Sequence, residues 1–501
     1  MVPHVFILAI VAAHGGGCYH RGMSNQRVHF IGIGGIGVSA LARLYRSRGF
    51  RVSGSDLARS EITDALRKEG IRVSIGPHRA SNVPQAATRV IYTAAVSSPK
   101  SKLLYYARDR EHNTTTRNRR SEWQNPEMRE ALRRGIPVMS YAEALGEVSK
   151  SYRAIAAAGA HGKSTTTALI GLILRRDGLD PTVIVGTKLR EFRNSNFRAG
   201  RSPWLVLEAD EYRASFLSYA PNIAVVTNID REHLDYYRTL RNIEAAFLRF
   251  LLRLAPNGSA ILNRDDPRLR RIAARLRRAR PDIGLIWYSL RDPAAKRIQP
   301  LLLIPGAHNV SNAMAAYAVG RLLRIPEKKI LSAISSYRGA WRRFQDMGAI
   351  GGARVIADYA HHPTEIRATL QAARERFPKN RIWCVFQPHH YERTRDLFKE
   401  FVAAFDRCDG LILLDIYEVA GRERKRRSPA VSSAALARAI SRRGTPALYL
   451  AHPARLQAFL TTWLEPGDVI LMMGAGDIWG MTKELMRGRG KGERGKVRKL
   501  A

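Results

Sequence analysis

Seven residues, Gly159-Ala160-His161-Gly162-Lys163-Ser164-Thr165, constrain this chain more than any other stretch. An apolar run, Ala154–Ala158, precedes them, and a helical pattern, Thr166–Leu174, follows. A turn of small residues between strand and helix lets backbone N–H groups approach a polyphosphate with no Cβ in the way. The helix N-terminus adds partial positive charge there. Lys163 can then reach the outer phosphates, and the Ser164 hydroxyl can ligate Mg2+. The full spacing G-x-x-x-x-G-K-[ST] needs glycine at 157, where this chain has Ala157, so a shorter G-x-x-G-K-S loop remains. Alone, that match also describes a glycine turn with an exposed lysine; the rest of the chain decides between the two.

At 501 residues the chain exceeds one ordinary core, and its length predicts about three domains. Hydrophobic residues make up 45% of it, as in a soluble globular protein. The formal net charge is +40, from 83 basic and 43 acidic side chains. Such a field attracts nucleic acid, anionic lipid or small anions. The basic residues are nevertheless spread along the chain, with denser spots at 117–120, 424–427 and 487–499, which favours solvated basic faces over a dedicated nucleic-acid reader. Cys18, Cys384 and Cys408 have no paired spacing, which excludes a disulfide framework or zinc ribbon and fits a reducing compartment. Val5–Ala13 is apolar, but no Lys or Arg precedes it and it falls far short of the ~20 residues that span a bilayer. Residues 1–23 therefore read as a non-native or disordered extension, and the expected location is the cytoplasm.

Three α/β domains follow from the pattern. The first, 24–150, opens with a strand at Arg27–Ile33, the turn Gly32-Ile33-Gly34-Gly35-Ile36-Gly37 and a helix at Val38–Arg48. A second strand, Arg51–Ser53, ends at Gly54-Ser55-Asp56, which completes a dinucleotide-type βαβ unit. Alternation continues through Val90–Ala95 and Glu127–Leu145. Pro99–Gln124 is polar, basic and aperiodic, and reads as a surface insertion. The second domain, 151–337, carries strands at Trp204–Leu207 and Ile223–Thr227 and a helix starting near His308. The third, 338–486, carries strands at Arg354–Ile356, Ile382–Phe386, Gly410–Leu414 and Val469–Met473. The stretch 487–501 reads as a basic disordered tail.

Polar motifs recur at the expected strand ends, which in an open parallel sheet face the ligand crevice. Glu208-Ala209-Asp210-Glu211 offers hard carboxylate oxygens suited to Mg2+ beside a nucleotide. Thr227-Asn228-Ile229-Asp230 leads into Arg231-Glu232-His233, placing His233 within reach of a second metal. Asn309 and Asn312 share one helix face and can cap the helix or bind a base. Arg343, at a domain boundary, can clamp phosphates. His361 and His362 suggest metal by adjacency, but neighbours in sequence point apart and no second pair completes a set, so substrate binding is the better reading. Arg393 can meet a substrate carboxylate.

Taken in order, these motifs resemble the Mur ligase family from about 24 to 485. The carrying stretches are Ile31–Ala40 with Gly54-Ser55-Asp56, Gly159–Thr165, Glu208–Glu211, Thr227–Tyr237, His308–Asn312, Trp341–Phe344, Asp358–Glu365, Phe386–Thr394 and Gly474-Ala475-Gly476-Asp477-Ile478. The resemblance implies a Rossmann-like UDP-binding domain, a central P-loop-type ATPase domain and a Rossmann-like C-terminal domain. It implies an ATP-dependent amide ligase of peptidoglycan precursor synthesis, which joins L-alanine to the lactyl carboxylate of UDP-N-acetylmuramate through an acyl phosphate. ATP and Mg2+, two ions, are the implied cofactors. A monomer or weak homodimer is expected, with no nucleic-acid or membrane partner.

By the same resemblance, Gly159, Ala160, His161, Gly162, Lys163, Ser164 and Thr165 hold ATP, Asn309 and Asn312 contact its adenine side, and Arg343 and Asp358 contact it from the domain junction. Ser164, Glu208 and His233 are the implied metal ligands; Lys163, Glu208, His233 and Arg343 form the implied catalytic set. Gly34, Gly35, Ile36, Gly37 and Asp56 match the site for the UDP diphosphate, and Tyr359, His361 and Arg393 the amino-acid side. Ala160 and Ser164 stand where the family usually has Thr, and His390 stands where it usually has Arg. Arg291–Leu303 is shorter than its counterpart. The nearest alternative is a recycling ligase that attaches a tripeptide to the same nucleotide sugar. A nucleic-acid-stimulated P-loop NTPase would need basic or aromatic clusters on one element, and a dehydrogenase would leave the phosphate loop unexplained.

Overall fold

The computed structural model describes residues 26–96, 124–418, 431–451 and 455–487. The extension 1–23, the insertion up to residue 123 and the tail beyond Arg487 lie outside the described residues. Contacts divide the chain into two compact units, 1–153 with 199–205, and 154–198 with 206–501.

The first unit holds strands β1 (Arg27–Ile31), β2 (Arg51–Asp56), β3 (Arg72–Ile75), β4 (Arg89–Tyr92) and β5 (Val138–Ser140), in the order β3-β2-β1-β4-β5. Every neighbouring pair is parallel. The first strand ends two residues before the expected Ile33, because Gly32 turns the chain with φ +76°. The helix that follows, Ile36–Ser47, starts inside the glycine turn rather than at Val38.

A buried carboxylate ties this unit together. Glu127, at the start of helix Pro126–Arg133, is fully buried. It accepts hydrogen bonds from His29 (2.8 Å), His78 (2.7 Å), Asn82 (2.9 Å) and Ser55 (2.8 Å). Burial alone would raise its pKa, but the hydrogen bonds from His29, His78, Asn82 and Ser55 outweigh it and hold the group at about 2.

The central sheet comprises β6 (Arg153–Ala158), β7 (Thr182–Leu189), β8 (Ser195–Arg198), β9 (Trp204–Glu208), β10 (Ile223–Val226), β11 (Ser259–Asn263) and β12 (Gly284–Tyr288), ordered β12-β11-β10-β6-β9-β7-β8. The third comprises β13 (Gln345–Ile350), β14 (Ala353–Asp358), β15 (Ile382–Phe386), β16 (Gly410–Leu413), β17 (Ala447–Tyr449) and β18 (Val469–Met473), ordered β13-β14-β18-β15-β16-β17. Only its edge pair β13–β14 is antiparallel. Along β18, Val469, Leu471 and Met473 enter one core while Ile470 and Met472 enter the other. A strand covered on both faces reads as an unbroken apolar run, as this one does. Among the described residues no helix is long and apolar enough to cross a membrane.

Because Glu127 has a folded pKa of about 2 against an ordinary 4.5, its contribution is complete above pH 4.5 and is lost as pH falls toward 2. The contribution is on the order of 3 kcal/mol. Denaturant unfolding of the full chain at stepped pH should show this acid limb, and Glu127→Gln should flatten it while lowering stability at pH 7.

Candidate active site

Strand order builds the site. β6 runs between β10 and β9, so the loop leaving it at Gly159 meets Thr227 and Asn228 on one side and Glu208 on the other. Asn228 accepts from the Ala160 N–H through its carbonyl (3.1 Å) and from the His161 N–H through its side chain (2.9 Å). Thr227 Oγ1 donates to the His161 carbonyl at 2.6 Å. Gly159 and Gly162 take φ +135° and +87°, and a Cβ on either would overlap Thr227 Oγ1 or the Asn312 amide. Both glycines are therefore required by space as well as by backbone angle. The helix Lys163–Asp177 begins at the lysine, three residues before the expected Thr166.

Lys163 turns back into this loop. Its Nζ donates to the carbonyls of Gly159 (2.7 Å) and Ala160 (3.2 Å) and pairs with Glu211 Oε2 at 2.7 Å. Burial disfavours the ammonium, but Glu211 and Asp210 hold its pKa above the ordinary value. Glu208 accepts from the Gly186 N–H at 2.6 Å and bonds Ser164; burial nonetheless raises its pKa. His233, with φ +54°, places Nε2 3.6 Å from Glu211 Oε1, an oxygen buried with no hydrogen-bond partner. Of the expected metal ligands, the fold joins Ser164 to Glu208, whereas His233 faces Glu211. The role of Glu211 was not legible in sequence, although it lies in the quoted Glu208–Glu211 stretch.

A cavity of about 450 Å³ opens beside the loop. His161, Gly162, Ser164, Thr165, Asn309, Asn312, Arg343 and Asp358 all line it, so most of the expected nucleotide residues converge. Gly159, Ala160 and Lys163 do not line it. Asn309 donates to the Pro305 carbonyl at 2.6 Å. Asp358 accepts from the N–H groups of Phe344 and Ala360, each at 2.7 Å, which fixes the chain on either side of Arg343 and Tyr359.

Charged side chains join the phosphate loop and β10 end to the residues after β14 and β15. His161 pairs with Asp230 (3.1 Å) and Glu365 (3.3 Å), and despite burial these carboxylates raise its pKa to about 10. Glu365 also meets His361 (3.1 Å) and Arg343 (3.5 Å). His362 is buried and pushed down to about 4, hence neutral at pH 7. Arg393, expected to face a substrate carboxylate, pairs with buried Glu232 at 2.9 Å. Tyr359 lies under Arg342 and Arg343, 4.7 and 5.0 Å from its ring centre, with His361 edge-on at 5.2 Å. His390 accepts from the Arg393 N–H at 3.3 Å and is driven to about 3 by burial and by the Arg393 charge. Asp230 and Glu232 escaped sequence reasoning because their partners lie far along the chain, His161 being 69 residues from Asp230 and Arg393 161 from Glu232, whereas Glu365 stands four residues after His361.

In the first unit, the Gly34 N–H donates to Asp56 Oδ2 at 2.8 Å, and a Cβ on Gly34 would collide with that carboxylate. Gly35 precedes the helix that opens with Ile36 and Gly37, and a Cβ on Gly37 would press on Tyr141.

A lysine delivered by a glycine loop onto buried Glu211, with Glu208 nearby and a cavity lined by asparagines and arginine alongside, is the arrangement of a phosphoryl-transferring nucleotide enzyme. Three family models match: the Mur ligase family catalytic domain over residues 27–153, the Mur ligase middle domain over 157–320, and the Mur ligase glutamate ligase domain over 342–476. The chain belongs to the Mur ligase family. It is 39% identical over 488 residues to the UDP-N-acetylmuramate–L-alanine ligase of Desulforamulus reducens, covering 92% of this chain and 98% of that one. The enzyme of the same name from Sorangium cellulosum is 40% identical, over 90% of this chain and 94% of its own. Among solved structures, the UDP-N-acetylmuramate–alanine ligase of Thermotoga maritima superposes with a TM-score of 0.72 at 25% identity, covering 92% of this chain and 98% of that one.

Two substitutions test the site. Gly162→Ala forces a side chain into left-handed backbone, at a cost of about 1–2 kcal/mol, and into Asn312; calorimetry should show ATP binding weakened by roughly tenfold or more. Glu232→Ala should destabilise the chain by about 3–5 kcal/mol by stranding buried Arg393, and adding Arg393→Met should restore much of that in denaturant unfolding.

Proposed function

We infer that this chain joins L-alanine to the lactyl carboxylate of UDP-N-acetylmuramate at the expense of ATP, releasing ADP and phosphate. Near full-length identity to alanine-adding ligases carries the reading, and the convergence of phosphate loop, lysine and carboxylates supports it. We assign residues 24–150 to the UDP-sugar domain, 151–337 to the ATP domain and 338–486 to the C-terminal ligase domain.

Direct attack of an amine on a carboxylate is slow because the leaving group is oxide. Phosphorylation solves this: a carboxylate oxygen attacks the γ-phosphorus, ADP departs, and the resulting acyl phosphate accepts the alanine nitrogen. The amide forms as phosphate leaves and the amine gives up its proton. Such transfer depends on placement and charge more than on a strong base. The loop N–H groups and Lys163 orient the γ-phosphate, and Lys163 exchanges Glu211 for phosphate oxygens when ATP enters. Arg343, which lines the cavity with Ser164 and Thr165, meets the phosphates; Asn309 and Asn312 hold the base side. His361 and Arg393 receive the amino acid, Arg393 being held in place by Glu232.

The oxygens fit Mg2+: Ser164 Oγ with Glu208 form one set, and Glu211 Oε1, which accepts no hydrogen bond and has His233 3.6 Å away, would anchor another. Bound there, Mg2+ neutralises charge building on the transferred phosphoryl group.

ADP release should require UDP-N-acetylmuramate and L-alanine together, with glycine and L-serine poorer in the same assay. Lys163→Ala should lower kcat on the order of 10²–10³-fold. Dependence on a tripeptide or a polynucleotide instead would overturn the assignment.

A further inference from the structure

Three donor atoms meet where the phosphate loop approaches the N-terminus of helix Pro363–Arg376. His161 Nε2 is 3.1 Å from Asp230 Oδ2, and His362 Nδ1 is 3.7 Å from the same oxygen. All three lie within 4.8 Å of one another, and the two imidazole rings are 4.9 Å apart between centres. Donors bound to a tetrahedral Zn2+ at about 2.0–2.2 Å stand roughly 3.4 Å from each other. Small side-chain shifts therefore bring these three to bonding distance of one ion. No second histidine stands at metal-binding spacing from His362 along the chain; the fold brings His161 to it.

Each imidazole is also braced from behind in the manner of a metal-bound histidine. His161 directs its other nitrogen, Nδ1, to Glu365 Oε1 at 3.3 Å. His362 directs Nε2 to the Arg231 carbonyl at 3.4 Å. A carboxylate or carbonyl behind the ring fixes the proton on the rear nitrogen and aims the lone pair forward. The forward nitrogen of His362 already acts as an acceptor, taking the Thr364 N–H at 3.2 Å. Asp230 Oδ2 is held by the Thr364 hydroxyl at 2.7 Å.

We propose that His161 Nε2, Asp230 Oδ2 and His362 Nδ1 form a Zn2+-type metal site joining the phosphate loop to helix Pro363–Arg376. It shares no residue with the Ser164, Glu208, Glu211 and His233 donors. Two imidazoles and one carboxylate select Zn2+ over Mg2+, which prefers oxygen alone. On binding, the ion takes the place of the His161 Nε2 proton, which passes to solvent, and of the Thr364 N–H on His362 Nδ1, whose hydrogen bond is given up. His161 and Asp230 also line the nucleotide cavity, so the fourth position of the ion opens toward water or a phosphate oxygen there.

The test is equilibrium dialysis of the nucleotide-free full chain against Zn2+, with Co2+ absorption as a second readout. The expected result is one bound equivalent with the visible bands of four-coordinate Co2+. His362→Asn removes the imidazole while retaining a good helix cap, and it should weaken Zn2+ at least ~10-fold, as should Asp230→Asn. His233→Ala should leave this equivalent in place. No retained Zn2+, Zn2+ unaffected by His362→Asn, or Zn2+ lost with His233→Ala would each overturn the proposal.

Discussion

The pairing of Lys163 with Glu211 is the interaction around which the rest of the site is arranged. Half-buried Glu208 ends β9, buried Glu211 follows it, and the half-buried Lys163 ammonium sits against Glu211 with His233 on its other oxygen. A carboxylate removed from water is costly unless paired. Glu208 is raised because burial outweighs Lys163, whereas Glu211 is lowered because Lys163 and His233 both face it. The Glu211 oxygen without a hydrogen bond and the raised pKa of Glu208 both mark a site that can take further positive charge. In the reaction proposed above, ATP with Mg2+ would supply that charge and offer Lys163 new oxygens. Binding energy of this kind is realised only when loop, lysine and carboxylates are already in place, which explains why two left-handed glycines and the Thr227–Asn228 clasp fix the loop so tightly.

A second charge system extends from the first. His161 belongs to the phosphate loop yet is bound by Asp230 and Glu365, while Glu365 reaches Arg343 and His361. Glu232, next to His233, holds Arg393. The residues assigned to ATP and those assigned to the amino acid are thus linked by single carboxylates. A change in the charge state of the loop acts on both, so nucleotide and amino-acid binding are expected to be energetically coupled.

Much of this was legible because the chemistry is local. Glycine turns, strand ends and the i,i+3 asparagines lie within a few residues of each other, and parallel strands buried on both faces declare themselves as apolar runs. What stayed hidden is what the fold brings together across long separations. Glu127 reads as an ordinary helix-start acid, yet it gathers His29, Ser55, His78 and Asn82. Arg393 reads as a free cation because Glu232 lies far away in sequence. The edge strand β8, the antiparallel β13 and the short β17 carry mixed residues without the apolar run of a central strand, so periodicity did not announce them. Glycine 32 and residue Ile36 mark where backbone angle, rather than hydrophobic pattern, sets an element's end.

In the proposed reaction the phosphate loop, with Lys163 held by Glu211, activates the sugar-linked carboxylate by phosphorylation. The most direct measurement uses UDP-N-acetylmuramate labelled with ¹⁸O in both lactyl carboxylate oxygens, turned over with ATP and L-alanine, followed by mass spectrometry of the released phosphate. The account predicts one ¹⁸O in each phosphate and the other in the product amide. Phosphate carrying no label would mean that water, not the carboxylate, takes the phosphoryl group, and would contradict the account.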